Sequence, residues 1–181
     1  PKKVIASDYE YYGRLLAKTG NDSLAIENLN TALAMDSTEI ELYGDLGQSY
    51  YKKKKYKEAA AAYASKLKKG KQTSADFFLL GKAYYYDSAY YKADTAFIKV
   101  TELSPNSHLG FMWRGRANSN IDSTEAKNMA KPFYEKTVEL ATDTVKYKKD
   151  LIEAYQFLGF NAVQNDDDAN AKMYFEKLLL Y

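Results

Sequence analysis

The sequence predicts an all-α solenoid of about five helix–turn–helix units. Three observations lead there. Gly13, Gly47, Gly81 and Gly115 follow one another at intervals of 34 residues. Each glycine interrupts a helical apolar pattern, where it costs about 1 kcal/mol against alanine, so four in register imply a neighbouring helix too close for a side chain. The composition, 46% hydrophobic and 28% charged with only three prolines, supplies enough apolar surface for a helical core.

Taken in order, the units are expected at about 6–39, 40–73, 74–107, 108–144 and 145–181. The first has Tyr9, Tyr12-Gly13 and Leu16, then Ala25 and Leu29. A turn at Thr19-Gly20-Asn21-Asp22 separates its two helices, with Asp22 placed to cap the second. The second unit has Tyr43, Leu46-Gly47 and Tyr50, then Ala59 and Tyr63. The third has Phe77, Leu80-Gly81 and Tyr84, a turn at Tyr86-Asp87-Ser88 with Ser88 placed to cap the second helix, then Ala93, Phe97 and Pro105. The fourth keeps Phe111 and Gly115, but Arg114 and Asn118 stand where the others carry leucine and tyrosine. Its second helix has Ala130 and Tyr134, three residues late, with the excess around Asp122, Ser123 and Thr124. The fifth has Tyr155, Leu158-Gly159 and Ala162, then Ala171 and Phe175, with extra length at 142–149 expected to extend its first helix.

These residues resemble the tetratricopeptide repeat (TPR), whose pattern is W-x2-L-G-x2-Y, then A-x3-F, then P. The third unit matches best. The resemblance implies a right-handed α-α superhelix in which small residues let backbones approach and each unit buries its apolar face against its neighbours. It also implies a non-catalytic scaffold that binds a protein or peptide, of the kind found in bacterial TPR-repeat-containing proteins.

In that family the first helix of each unit lines a concave groove, and its outward positions lie three before, one after and four after the motif glycine. Carried over, these are Glu10, Arg14 and Ala17; Gly44, Gln48 and Tyr51; Phe78, Lys82 and Tyr85; Met112, Arg116 and Ser119; and Gln156, Phe160 and Val163. The groove set expected to contact a partner is Arg14, Gln48, Phe78, Lys82, Tyr85, Met112, Arg116, Gln156 and Phe160. Arg14, Lys82 and Arg116 would form a solvated basic strip beside the aromatics, suited to a segment with acidic and apolar residues. Binders of chaperone tails carry lysine and asparagine where this chain has Glu10 and Arg14, which argues against that mode.

Other chemistry is poorly supplied. With 26 basic and 24 acidic residues the net charge is +2, too small to draw nucleic acid or an anionic membrane. The lysine run Lys52–Lys55 with Lys57, and Lys66, Lys68, Lys69 and Lys71, read as a solvated turn and helix-end charge. Cysteine is absent, so there is no disulfide or thiolate zinc site, and no apolar run approaches the ~20 residues of a membrane span. His108 has no nucleophile or carboxylate beside it in sequence and reads as a helix-start residue. Asp166, Asp167 and Asp168 splay around a helix start instead of converging on a metal. No catalytic residue, metal or cofactor is expected.

The start at Pro1 and the apolar end Leu178-Leu179-Leu180-Tyr181 lead to the expectation of a fragment of a longer protein. Two rival readings of function are a self-associating structural module of a larger helical protein and the non-catalytic part of a multidomain enzyme. Finally, Asp followed by Ser or Thr recurs, at Asp22-Ser23-Leu24, Asp36-Ser37-Thr38, Asp87-Ser88-Ala89, Asp94-Thr95-Ala96, Asp122-Ser123-Thr124 and Asp143-Thr144-Val145. The tripeptide is similar to a short O-glycosylation signal of some bacterial envelope proteins, which leans the expected location towards periplasm or cell envelope. Helix capping is the competing explanation of the same pairs.

Overall fold

The computed structural model describes residues 5–121 and 128–181. These residues form ten α-helices and no strand: α1 (Ala6–Lys18), α2 (Asp22–Met35), α3 (Ile40–Lys52), α4 (Tyr56–Lys69), α5 (Ser74–Tyr86), α6 (Tyr90–Leu103), α7 (His108–Ile121), α8 (Lys131–Leu140), α9 (Lys148–Gln164) and α10 (Asp168–Leu178). They fall into two compact units, Pro1–Ala89 with α1 to α5 and Tyr90–Tyr181 with α6 to α10. Within each unit, successive helices pack on one another.

The motif glycines do what their spacing requires. A Cβ on Gly13 would meet Leu29 Cγ at 2.9 Å, and one on Gly47 would meet the Tyr63 ring at 2.6 Å. On Gly159 it would meet Phe175 at 2.8 Å, and on Gly115 Tyr134 at 3.0 Å. The last pair carries the three-residue delay expected in the fourth unit. The alanines Ala25, Ala59, Ala93, Ala130 and Ala171 are all buried.

Four of the first helices, α1, α3, α5 and α9, end the same way. Gly20, Lys54, Ser88 and Asp166, seven residues after their motif glycines, have φ of +83°, +59°, +59° and +55°. The following amides reach back to donate to carbonyls in the last helical turn: Asn21 to Leu16 at 2.8 Å, Lys55 to Tyr50 at 2.9 Å, Ala89 to Tyr84 at 2.9 Å and Asp167 to Ala162 at 3.0 Å. This is the six-to-one closure of a Schellman motif. It corrects two expected caps. Ser88 is the left-handed residue that closes α5, so it does not cap α6. Asp22 is already inside α2, and Asn21 at the cap makes no side-chain bond to the helix. Side-chain caps occur instead at α5, where Thr73 accepts from the Asp76 amide, and at α10, where Asp167 accepts from the Asn170 amide. The three aspartates 166–168 thus serve as turn, cap and first helical residue.

Two departures from the period follow from local chemistry. Ala130 precedes α8, whereas its counterparts lie inside their helices, and Pro132 stands in the first turn of α8. Extending the helix backwards would set the proline ring against a preceding carbonyl and require an amide hydrogen that proline lacks. In the fifth unit the extra length is shared: α9 gains one turn, at 17 residues against 13 for α1, α3 and α5. The rest lengthens the turn before Lys148, where Asp143 Oδ1 accepts from the Lys146 amide at 2.9 Å. The expectation of a helix extension is met in part.

Candidate functional site

In the first unit, α1, α3 and α5 bring their glycine-flanking positions to one face. On α1 and α3, Arg14 Nε donates to Asp45 Oδ2 at 2.8 Å, and its Nη1 lies 2.6 Å from Glu10 Oε1. Burial pulls the Arg14 pKa down, but the bond and charge of Asp45, then Glu10, outweigh it and leave it above the ordinary value. Gln48 is exposed. On α5, Lys82 Nζ stands 5.3 Å from the Tyr51 ring centre and 5.9 Å from that of Phe78. Tyr51 is the hub of an aromatic group, edge-on to Tyr56 and Tyr86, while Tyr56 stacks on Tyr86 and Tyr85 meets Tyr86 edge-on. Burial, then the neighbouring Tyr86 and Tyr56, pushes the Tyr51 hydroxyl pKa well up, so it stays protonated and polar without charge.

Phe78, Lys82 and Tyr85, expected to contact a partner, gather here with Tyr51 in a half-buried aromatic and cationic cluster. Arg14, expected to be solvated, has its charge met inside the chain.

The lysines of this unit are also less solvated than expected. Lys52 Nζ donates to the Ala17 carbonyl at 3.2 Å and pairs with Asp22 at 3.5 Å, so it stitches the first repeat to the second. Lys66 pairs with Glu41 at 3.0 Å and with buried Asp76 at 2.9 Å, joining α4 to α3 and α5. Lys69 donates to the Ser37 carbonyl at 3.1 Å. These lysines hold successive helices together.

In the second unit the expectations need more correction. Met112 is fully buried, packed with Ala130, Tyr134, Ala154 and Leu158, so it is a core residue and no partner can reach it. Arg116 is not a solvated cation: Nε and Nη2 fork onto Glu153 at 2.8 and 2.7 Å, and Nη2 lies 3.6 Å from Asp150. A bidentate guanidinium–carboxylate pair is the strong form of this contact. Burial lowers the Arg116 pKa, and Glu153 and Asp150 more than restore it. Gln156 and Phe160 are exposed, Phe160 at 61%, with its ring edge-on to Phe175.

Asp150 also reaches His108, whose Nε2 lies 3.0 Å from its Oδ2 and whose ring packs 4.2 Å from that of Tyr147. His108 is buried. Its partner is 42 residues away, beyond any local reading. Tyr147 and Asp150 lie at and just inside the start of the lengthened α9. The extra turn therefore builds this cluster. A histidine and a carboxylate without an adjacent nucleophile do not make a triad, and the described residues contain no group of three or more His, Asp or Glu that could hold a metal ion.

The two motif departures of the fourth unit form a third cluster. Arg114 Nε donates to Asp94 Oδ1 at 2.9 Å, Asn118 Nδ2 donates to the same oxygen at 2.9 Å, and the guanidinium lies 4.1 Å from the Phe133 ring centre. The signal for it was present: two polar residues replacing two seam residues require a buried acceptor.

No family model matches the sequence, and no curated protein matches it. Solved structures do. The YrrB structure, of a TPR protein with an unusual peptide-binding site, is 19% identical with a TM-score of 0.75, covering 94% of this chain and 83% of that one. MamA from Desulfovibrio magneticus RS-1 is 19% identical with a TM-score of 0.77, over 96% of this chain and 93% of that one. These two share the fold. The C-terminal part of a TPR repeat-containing protein from Cytophaga hutchinsonii is 37% identical with a TM-score of 0.85, over 98% of this chain and 69% of that chain. With the five-fold motif and the helix pairs that carry it, this likeness establishes that the chain belongs to the tetratricopeptide-repeat family.

Proposed function

We propose that the chain is a protein-interaction scaffold and that the face of α1, α3 and α5 holds an extended or helical segment of a partner. One observation carries the reading: Lys82 is set near the Tyr51 and Phe78 rings, and Gln48, three residues before Tyr51 on α3, is exposed, so neighbouring helices offer apolar area, a cation and an amide. Aromatic residues dominate interface energies because they cover area at low entropic cost. An aromatic or aliphatic anchor packed against the Tyr51 and Phe78 rings fits the surface. The peptide-binding site of YrrB, on the same fold, supports the choice of a peptide-like ligand. The chain acts by holding, and its reaction class is none.

The test is selection of a displayed random-peptide library on the chain, followed by binding of the enriched peptides to a Gln48→Ala/Lys82→Ala variant. The expected loss is tenfold or more, about 1.4 kcal/mol, with the melting temperature held. Peptides that bind parent and variant equally would place the contact elsewhere.

A second reading, self-association, rests on α1. Tyr12 and Leu15 are 52% and 56% exposed. Their counterparts Leu46, Leu80 and Leu158, and Ser49, Ala83, Ala117 and Asn161, are all buried. A second copy covering this face would give a mass that rises with concentration in sedimentation equilibrium. A constant monomer mass rejects it.

A further inference from the structure

The Asp-Ser and Asp-Thr pairs recur beyond what composition gives. Six of the 13 aspartates are followed directly by Ser or Thr, although these make up 21 of 181 residues. N-capping selects aspartate over glutamate, yet Asp22 lies inside α2 and Ser88 closes α5, so capping does not explain these pairs.

The structure then separates the pairs. Ser23, Ser37, Ser88 and Thr144 are exposed, at the start of α2 and in the turns after α2, α5 and α8. None of their four hydroxyls takes part in a hydrogen bond among the described residues. Two of their aspartates hold the turns instead: Asp36 Oδ1 accepts from the Thr38 amide and Asp143 Oδ1 from the Lys146 amide, both with the N···O distance at 2.9 Å. Thr95 is the contrast. It lies within α6, its hydroxyl is spent on the Tyr91 carbonyl at 2.9 Å, and Asp94 before it is bound by Arg114 and Asn118. Ser123 lies outside the described residues.

We propose that Ser23, Ser37, Ser88 and Thr144 are acceptor sites for a neutral O-linked glycan, marked by the aspartate before each hydroxyl. A bulky polar group is tolerated where the hydroxyl faces solvent at a helix junction. A phosphate is the poorer fit, because it would add a charge of about −1.5 to −2 directly beside a carboxylate. In the transfer, the hydroxyl oxygen attacks the anomeric carbon of a sugar activated as a glycosyl diphosphate. The new C–O bond forms as the anomeric carbon–phosphate oxygen bond breaks. The diphosphate leaves with the electron pair, and the hydroxyl proton passes to a base of the transferase.

The test is intact-mass and fragment spectrometry of the chain purified from the cells that naturally make it. Expected are sugar-mass increments on the peptides of Ser23, Ser37, Ser88 and Thr144, none on Thr95, and return to the sequence mass after chemical deglycosylation. An Asp36→Glu variant made in the same cells should lose the Ser37 glycan alone, with an unchanged circular dichroism spectrum. An unmodified mass, phosphate increments, a glycan on Thr95, or full occupancy of Ser37 in the Asp36→Glu variant would overturn the proposal.

Discussion

At the scale of single residues, two backbone positions carry opposite lessons about glycine. Gly47 is in a helix, where alanine is normally better by about 1 kcal/mol. Here the added Cβ would fall 2.6 Å from the Tyr63 ring, which is itself buried and has no room to yield. Overpacking costs about 1–3 kcal/mol, so Gly47→Ala should be destabilising in urea denaturation despite the propensity gain. Lys54 is the reverse case. It closes α3 at φ +59°, a region that costs a residue with a Cβ about 1–2 kcal/mol. Glycine removes that strain and returns part of it as unfolded-state entropy, about 0.5–1 kcal/mol. Lys54→Gly should therefore raise the urea midpoint by an amount worth about 0.5–1 kcal/mol, and a lowered midpoint would show that Lys54 makes a contact worth more than its strain. The register of the glycines was legible in the sequence because a costly residue recurring at fixed spacing has few explanations. The left-handed closures were not, since only Gly20 among Gly20, Lys54, Ser88 and Asp166 advertises a positive φ.

At the scale of elements, helix pairs were readable from their small and aromatic residues, while the polar clusters joining them were not. Arg116 occupies a motif position that is solvated in the bare repeat pattern. The carboxylates that take its charge, Asp150 and Glu153, come from a helix whose added turn no repeat pattern specifies. Met112 failed for a related reason, since helix-wheel position places a side chain outward only where the next helix leaves room. The Asp94–Arg114–Asn118 cluster shows how such departures compensate one another. Arg114 and Asp94 have side chains 18% and 17% exposed, and Asn118 is buried. Removing the shared acceptor by Asp94→Ala takes the acceptor from Arg114 Nε and leaves Asn118 Nδ2 with the Arg114 carbonyl, at a cost of about 1–3 kcal/mol. A double-mutant cycle of Asp94→Ala and Arg114→Ala should give a coupling energy of about 1–2 kcal/mol by chemical denaturation. Additive effects would mean that the pair is ornamental and that Arg114 is held by Phe133 alone.

At the scale of the whole molecule, the repeat pattern running through 1–181 is the ground for proposing one domain, and the energetics of repeats make that testable. In such an array, stability is the sum of unit terms and nearest-neighbour interface terms, so a weakened unit lowers its neighbours' protection as well as its own. The chain nevertheless clusters into two compact units, Pro1–Ala89 and Tyr90–Tyr181. One substitution in each unit separates the alternatives. Gly47→Ala loosens the α3–α4 pair in the first. Arg116→Ala strips Glu153 and Asp150 of their cation in the second, at about 1–3 kcal/mol for charge-assisted bonds. With one domain, urea unfolding stays a single transition in both variants and each substitution lowers the same midpoint. Amide exchange, followed by mass spectrometry, should then quicken in α7 to α9 when Gly47 is changed and in α3 to α5 when Arg116 is changed. Two independent domains predict the opposite: a split transition, with faster exchange confined to the substituted unit. That outcome would replace the single-domain proposal with a boundary near Ala89, and binding by α1, α3 and α5 would then survive in the first 89 residues alone.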